Sequence, residues 1–295
     1  MRMAIIGSGK GWHTESLVRA AASRGHEATP VSYRQLVGKI GGTDRSNQLW
    51  VAGLDLFSVD RVIVRSVPAG SLEQVILRID ALHRLEQAGT RVLNSARSIE
   101  ASVDKYLSIS RLQTAGLLVP RTIVCERADD VLNAFQELGG DVVVKPLFGS
   151  EGKGIVRLTD EQTTYRVART LEQIGSVAFV QEYIPHQGFD IRAYVLGDEI
   201  VASMRRWVAP GDFRSNVSQG GRAEGIELSE PLKKLARSAV RAVGASMGGV
   251  DLLPALDGQV YVIEVNSSPG FRALEQATGK DVAGRTIDFA VHGEW

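Results

Sequence analysis

Gly248-Gly249-Val250-Asp251, and after it Tyr261-Val262-Ile263-Glu264-Val265-Asn266-Ser267-Ser268-Pro269-Gly270, decide how the rest of this chain is read. Two apolar strands deliver an aspartate, then a glutamate and an asparagine two residues apart. Alternation along a strand puts Glu264 and Asn266 on one face. Asp251, Glu264 and Asn266 are the hard oxygen ligands that Mg²⁺ takes, with the remainder of its shell left to water and nucleotide phosphates. No Walker A loop occurs in the 295 residues, so phosphate-binding lysines must come from elsewhere.

Working outward, Val142-Val143-Val144-Lys145-Pro146 runs into the glycine-rich Gly149-Ser150-Glu151-Gly152-Lys153-Gly154. A lysine closing an apolar strand is costly unless it meets an anion, and glycines let backbone N–H groups close around phosphate oxygens. A plain hairpin with a snorkelling lysine is the equal alternative. Asp104-Lys105 opens a helix with Asp104 as N-cap; by itself Lys105 is a surface lysine. Val180-Gln181-Glu182-Tyr183-Ile184 leaves a strand where backbone groups can read an adenine edge and Glu182 a ribose hydroxyl, although a solvated glutamate is the simpler reading. Asp190 and Arg192 share a strand face, the usual pattern of a structural ion pair. Arg205, Arg206 and Arg214 gather around the same hairpin, either as forks for carboxylate and phosphate or as a solvated basic edge.

Composition narrows the classes. Formal net charge is zero, which argues against nucleic acid as a partner. The single cysteine, Cys125, excludes an internal disulfide framework and fits a reducing compartment; in Thr122-Ile123-Val124-Cys125 it is expected to be a buried strand residue. The apolar run at Met1–Gly7 is too short for a signal segment or a membrane span, so a cytoplasmic protein with no membrane partner is expected. Gly7-Ser8-Gly9-Lys10-Gly11-Trp12 fails a dinucleotide fingerprint at its third glycine, and the five histidines have no zinc spacing.

Strand and helix alternate over residues 1–95, which predicts a parallel α/β domain. Its helix from Ser71 to Gln87 is expected to turn Leu72, Val75, Ile76, Ile79, Leu82 and Leu85 to one face. Residues 96–181 read as a second unit and 182–295 as a third, with a hairpin turn at Gly197-Asp198 and a single C-terminal helix.

Taken in order, Asp104-Lys105, Val144-Lys145-Pro146 with its glycine loop, Gln181-Glu182-Tyr183-Ile184, Asp190-Ile191-Arg192, Gly211-Asp212-Phe213-Arg214-Ser215-Asn216, Gly249-Val250-Asp251, Glu264-Val265-Asn266 and Thr278–Gly284 resemble the ATP-grasp superfamily, and within it the RimK-type ligases. The resemblance implies an N-terminal pre-ATP-grasp α/β domain and two α+β domains clamping ATP, in a homodimer or homotetramer. It implies that Lys105 and Lys145 hold phosphates and that Gly149, Ser150, Gly152 and Gly154 form a lid. Glu182 and Tyr183 would meet adenine, and Asp190 the ribose. Asp251, Glu264 and Asn266 would hold two Mg²⁺, with Mn²⁺ able to substitute. Arg192, Arg214, Ser215 and Asn216 would line the reacting groups and the nucleotide; Arg205, Arg206, Ser267 and Ser268 would contact substrate.

The implied reaction is ATP-dependent joining of an amino acid, with glutamate favoured by Arg214 where carrier-dependent relatives tend to have threonine. The expected acceptor is the carboxylate of a small-molecule cofactor such as tetrahydromethanopterin. Protein tails and carrier proteins are the alternatives within the family. A regulator without turnover and a dehydrogenase are the alternatives of another class.

Overall fold

The structure is a computed structural model that describes residues 1–9, 11–41, 48–149, 154–209, 211–213 and 222–294. The N-terminal unit begins with β1 (Arg2–Gly7), α1 (Trp12–Ser23) and β2 (Glu27–Ser32). Three short strands, β3 (Leu36–Lys39), β4 (Gln48–Val51) and β5 (Leu54–Asp55), form a separate antiparallel sheet that the alternation of the sequence does not announce. β6 (Arg61–Val64), α2 (Leu72–Gln87) and β7 (Arg91–Leu93) complete a parallel sheet of order β2-β1-β6-β7. Its two central strands, β1 and β6, are apolar after an initial arginine, as strands buried on both faces must be, whereas the edge strand β2 carries Glu27, Thr29 and Ser32.

Helix α2 starts at a capping box in which Ser71 and Gln74 satisfy each other's backbone N–H groups. Its expected apolar face is only half used. Ile79, Leu82 and Leu85 are buried, whereas Leu72 and Ile76 are 76% and 49% exposed. The helix packs on β7 and on the helix that follows, α3 (Ala96–Val103), and its residues 72–77 are exposed apart from the half-buried Val75.

The central unit comprises α4 (Lys105–Thr114), β8 (Thr122–Cys125), α5 (Ala128–Glu137), β9 (Val142–Pro146), β10 (Val156–Leu158), α6 (Glu161–Gln173) and β11 (Ala178–Glu182). Its strands form an antiparallel sheet of order β10-β9-β11-β8 with α5 and α6 packed on one side. Cys125 is half-buried rather than buried, because β8 is an edge strand. Burial and the nearby Asp130 charge push its thiol pKa up, which disfavours the nucleophilic thiolate.

The C-terminal unit holds β12 (Phe189–Leu196), β13 (Glu199–Trp207), β14 (Ala223–Gly225), α7 (Glu230–Ala242), β15 (Met247–Pro254) and β16 (Val260–Asn266), in the antiparallel order β14-β13-β12-β15-β16. The expected single C-terminal helix is two, α8 (Arg272–Thr278) and α9 (Val282–His292), parted at Gly279 in the left-handed conformation.

The N-terminal and C-terminal sheets share one core. Met3, Ile5, Ile63 and Leu93 pack with Tyr194, Met204, Met247 and Phe271, and with Ile287 of α9. Buried Asn94, just after β7, locks the two together. Its Oδ1 accepts the N–H groups of Ser246 and Met247, both at 2.9 Å, and its Nδ2 donates to the carbonyls of Met247 at 2.7 Å and Ser267 at 2.6 Å.

Candidate active site

A cleft of about 880 Å³ lies where the three units meet. It brings together Lys105, Lys145, Gly149, Glu182, Tyr183, Asp190, Arg192, Arg206, Asp251, Glu264, Asn266 and Ser268, which come from seven elements and their connections. Arg205 and Ser267 are not in its lining. Arg205 alternates with Arg206 along β13, so its guanidinium stacks on Phe189 and Trp207 on the opposite sheet face. Ser267 is buried, with its carbonyl on Asn94. Gly154 has φ +74° and packs near Pro146 outside the lining. Ser150, Gly152, Arg214, Ser215 and Asn216 lie outside the described residues.

The two lysines reach the cleft by different routes. Asp104 caps α4 by accepting from the N–H groups of Tyr106 and Leu107, which starts the helix at Lys105. Lys105 Nζ donates to the Gly149 carbonyl at 3.0 Å. Lys145 ends the buried run Val142–Val144 of β9, and its Nζ donates to Gln181 Oε1 at 2.6 Å. Burial depresses the pKa of Lys145 to about 8; Glu264 and Asp251 favour its charge, and Lys105 opposes it. Burial also lowers Lys105, against Glu264 and Asp104. Two under-solvated ammonium groups in one cleft make a site for a polyanion.

Facing them is an alternating chain of charges on the C-terminal sheet. Asp190 is paired through both oxygens with Arg206, by Nε at 2.7 Å and Nη2 at 2.5 Å. Arg206 also reaches Asp251 at 2.9 Å, and Arg192 forks onto Asp251. Burial works against the Asp251 charge, but Arg192 and Arg206 outweigh it and hold the carboxyl below its ordinary range. Burial likewise opposes the Arg206 charge, which Asp251 and Asp190 more than restore. Arg206 thus fixes the two aspartates beside the cleft. Glu182 is partly engaged too, since its Oε1 accepts from the Arg121 N–H at 2.7 Å.

The expected cation ligands Asp251, Glu264 and Asn266 sit at a bulge. Asp251 pairs with Glu264, but Leu252 pairs with Val262, so one residue of β16, Ile263, is extra. Without it, Val262 and Glu264 would share a face. With it, Val262 and Val265 both enter the core while Ile263, Glu264 and Asn266 line the cleft. Asn266 Nδ2 donates to Glu264 Oε1 at 2.7 Å, and this bond uses neither the amide oxygen of Asn266 nor the second carboxylate oxygen of Glu264. Among the described residues no three His, Cys, Asp or Glu side chains gather into a metal cluster. Two carboxylates and an amide oxygen, with neither nitrogen nor sulfur, nevertheless suit Mg²⁺, which keeps water and takes substrate phosphates as ligands.

The sequence reading missed the other half of the cleft. Ser8, His13, Arg65, Ser66, Arg272 and Gln276 line it from the N-terminal unit and α8. The signal for Arg65 was the one used for Lys145: a cation closing an apolar strand, here Val62-Ile63-Val64.

The RimK pre-ATP-grasp domain model matches residues 1–99 and the RimK-like ATP-grasp domain model residues 102–290. The chain is 35% identical over 292 residues to probable alpha-L-glutamate ligase 1 of Shewanella amazonensis, covering 98% of this chain and 95% of that protein. It is equally 35% identical to the probable alpha-L-glutamate ligase of Methanococcoides burtonii, with the same coverage. Among solved structures, the ATP-grasp ligase PsnB complexed with minimal precursor superposes with a TM-score of 0.77 at 27% identity, covering 99% of each chain. The RimK domain protein of Sphaerobacter thermophilus shares the fold, with a TM-score of 0.74 at 23% identity over 99% of this chain and 100% of that one.

Proposed function

This chain belongs to the RimK-like ATP-grasp family of ATP-dependent ligases, and from that premise we propose that it adds L-glutamate through its amine to a carboxylate acceptor. The observation that carries the reading is the convergence of Lys105 and Lys145 with Asp251, Glu264 and Asn266 in one cleft. The relatives named alpha-L-glutamate ligases, 35% identical over nearly the whole chain, supply the amino acid.

In this mechanism the acceptor carboxylate attacks the γ-phosphorus of ATP, giving an acyl phosphate and ADP. The glutamate amine then attacks the acyl carbon, forming the amide and releasing phosphate. Lys105 and Lys145 hold phosphate oxygens, and Gly149 lets the backbone approach them at φ +140°. Arg192 and Arg206 keep Asp251 ionised and oriented. Asp251, Glu264 and Asn266 would hold Mg²⁺, which supplies charge neutralisation at the phosphoryl oxygens. No protein nucleophile is required.

For the acceptor, a small-molecule carboxylate of the pterin-cofactor kind is favoured by the lack of a charged run in the sequence that would suit a protein tail. A peptide or protein C-terminus is the second reading, favoured by the solved PsnB complexes, which contain precursor peptides. Incubation with Mg-ATP, labelled glutamate and size-fractionated host extract tests both. Label in a small-molecule product supports the first acceptor, label confined to macromolecules supports the second, and ADP release only with another amino acid would sink glutamate.

The position of Lys145 gives a pH dependence. In the free protein it is charged below about pH 8 and neutral above. ATP affinity is therefore expected to fall as pH rises from 7 to 9, by roughly tenfold for the loss of one charge-assisted contact. Lys145→Met should bind weakly at both values. Calorimetry showing wild-type affinity flat across this range would remove Lys145 from the phosphate site.

A further inference from the structure

The nucleotide reading uses only one end of the cleft. The other end is built on the N-terminal sheet at a place set by its topology. From β1 the chain passes through α1 to β2 on one side, and β6 then lies on the other side of β1. The C-terminal ends of β1 and β6 therefore flank a topological switch point, where open parallel sheets take their ligands. Ser8 follows β1, Arg65 and Ser66 follow β6, and all three line the cleft. Gly7 keeps the crevice open, since a Cβ there would stand 3.0 Å from Ser66 Oγ.

The chemistry at this end is anion-seeking. Arg65 Nη1 donates to the Pro269 carbonyl at 3.0 Å and the guanidinium lies 5.6 Å from the Phe271 ring centroid, but its buried Nε has no hydrogen-bond partner among the described residues. Arg272 adds a second, exposed cation. Helix α1 begins beside them after Gly11, which also lines the cleft, and among the described residues no side chain caps its first-turn N–H groups. Among the described residues, the carboxylates that line the cleft are Glu182, Asp190, Asp251 and Glu264, all assigned above to its nucleotide end. His13 does not add a charge: its Nε2 accepts from the backbone N–H groups of Phe271 and Arg272, and burial with the two arginines depresses its pKa to about 4.

We propose that this switch-point end is a carboxylate subsite, in which Arg65, the N-terminus of α1 and Arg272 hold a non-reacting carboxylate of the amino acid being added. The assignment rests on the glutamate ligase reading. The acceptor must bring its carboxylate to the phosphates beside the lysines. The amino acid reacts through its amine, so its carboxylates need partners away from the reacting atoms. A half-buried guanidinium whose buried Nε lacks a hydrogen-bond partner among the described residues suits a small anion that enters and leaves each cycle.

The test compares wild type with Arg65→Met, Arg65→Lys and Arg272→Gln. Steady-state kinetics cover a panel of amino acids, and calorimetry measures binding of glutarate, a dicarboxylate without an amine. Arg65→Met should raise KM for the amino acid about 30-fold while KM for ATP stays within about two-fold. Arg65→Lys should recover part of the loss, and glutarate should bind wild type but not Arg65→Met. An unchanged amino-acid KM, a parallel rise in KM for ATP, or no glutarate binding to wild type would overturn the subsite. Turnover with a different amino acid would sink the glutamate reading, and Arg65→Met must then raise that amino acid's KM. If no amino acid supports turnover, the ligase reading falls and glutarate binding decides the subsite. Should Arg65→Met not fold, the exposed Arg272→Gln carries the test: glutarate affinity lowered about three-fold supports the subsite, and unchanged affinity overturns it.

Discussion

Replacing Glu264 by alanine is expected to lower ATP-dependent turnover by about 10²- to 10³-fold while leaving the protein folded. The magnitude follows from removing one of two carboxylates of a cation site in a reaction whose catalysis is charge neutralisation and positioning, where a single preorganised electrostatic group is worth about 3–4 kcal/mol. The fold should survive because Glu264 lies on the cleft side of β16 and its side chain accepts a hydrogen bond from Asn266, two residues away on the same strand. The strand's anchorage comes from Val262 and Val265, which the bulge turns into the core. A second effect comes through Lys145. Glu264 is the largest of the influences holding that lysine's pKa up against burial. Its loss should bring the Lys145 pKa below about 8 and move the fall in ATP affinity to lower pH. ADP release and a thermal melt, measured on the same preparation, check both halves. Turnover near wild type would remove Glu264 from the cation site, and a collapsed melt would show that its role is structural.

Most strands were legible because each is a short apolar run closed by a glycine, a proline or a charge. The parallel N-terminal sheet and the Gly197-Asp198 hairpin follow from that punctuation. Lys145 was legible because a charge after Val142–Val144 conflicts with burial unless an anion relieves it. What could not be read is what depends on neighbours distant in sequence. Leu72 and Ile76 of α2 have the spacing of core residues, but whether a core covers them depends on where β7 and α3 end. Arg205 and Arg206 are adjacent cations, and only the pairing of β12 with β13 shows which one meets Asp190. The strands β3, β4 and β5 are too short and mixed for a period-two pattern to stand out. The N-terminal half of the cleft was missed because its groups converge only when the first and third units share a core.

Asn94 is the sharpest case of such long-range dependence, and its replacement by leucine is expected to cost about 3–5 kcal/mol of stability, or roughly 10 °C in Tm. One amide side chain provides two acceptor lone pairs and two donors, and here all four are used on the backbone of Ser246, Met247 and Ser267. Leucine has the same branching and is larger than asparagine, so no cavity opens. Instead two backbone N–H groups and two carbonyls lose their Asn94 partner, at about 1–3 kcal/mol each before water or relaxation recovers part. Asn94→Asp discriminates this account from a packing effect. Aspartate keeps the two acceptor contacts but turns an oxygen onto the carbonyls of Met247 and Ser267, so it should be at least as damaging as leucine despite near-identical shape. The loss should also reach function. Ser267 follows Asn266, so freeing its carbonyl loosens the end of β16 that orients the cation ligands, and kcat should fall more than KM for ATP rises. Denaturant midpoints and thermal melts of both variants, with kinetics at a temperature where each is folded, check the chain of argument. A loss below about 1 kcal/mol in Asn94→Leu, or an Asn94→Asp protein as stable as wild type, would show that the clamp is redundant with the shared core.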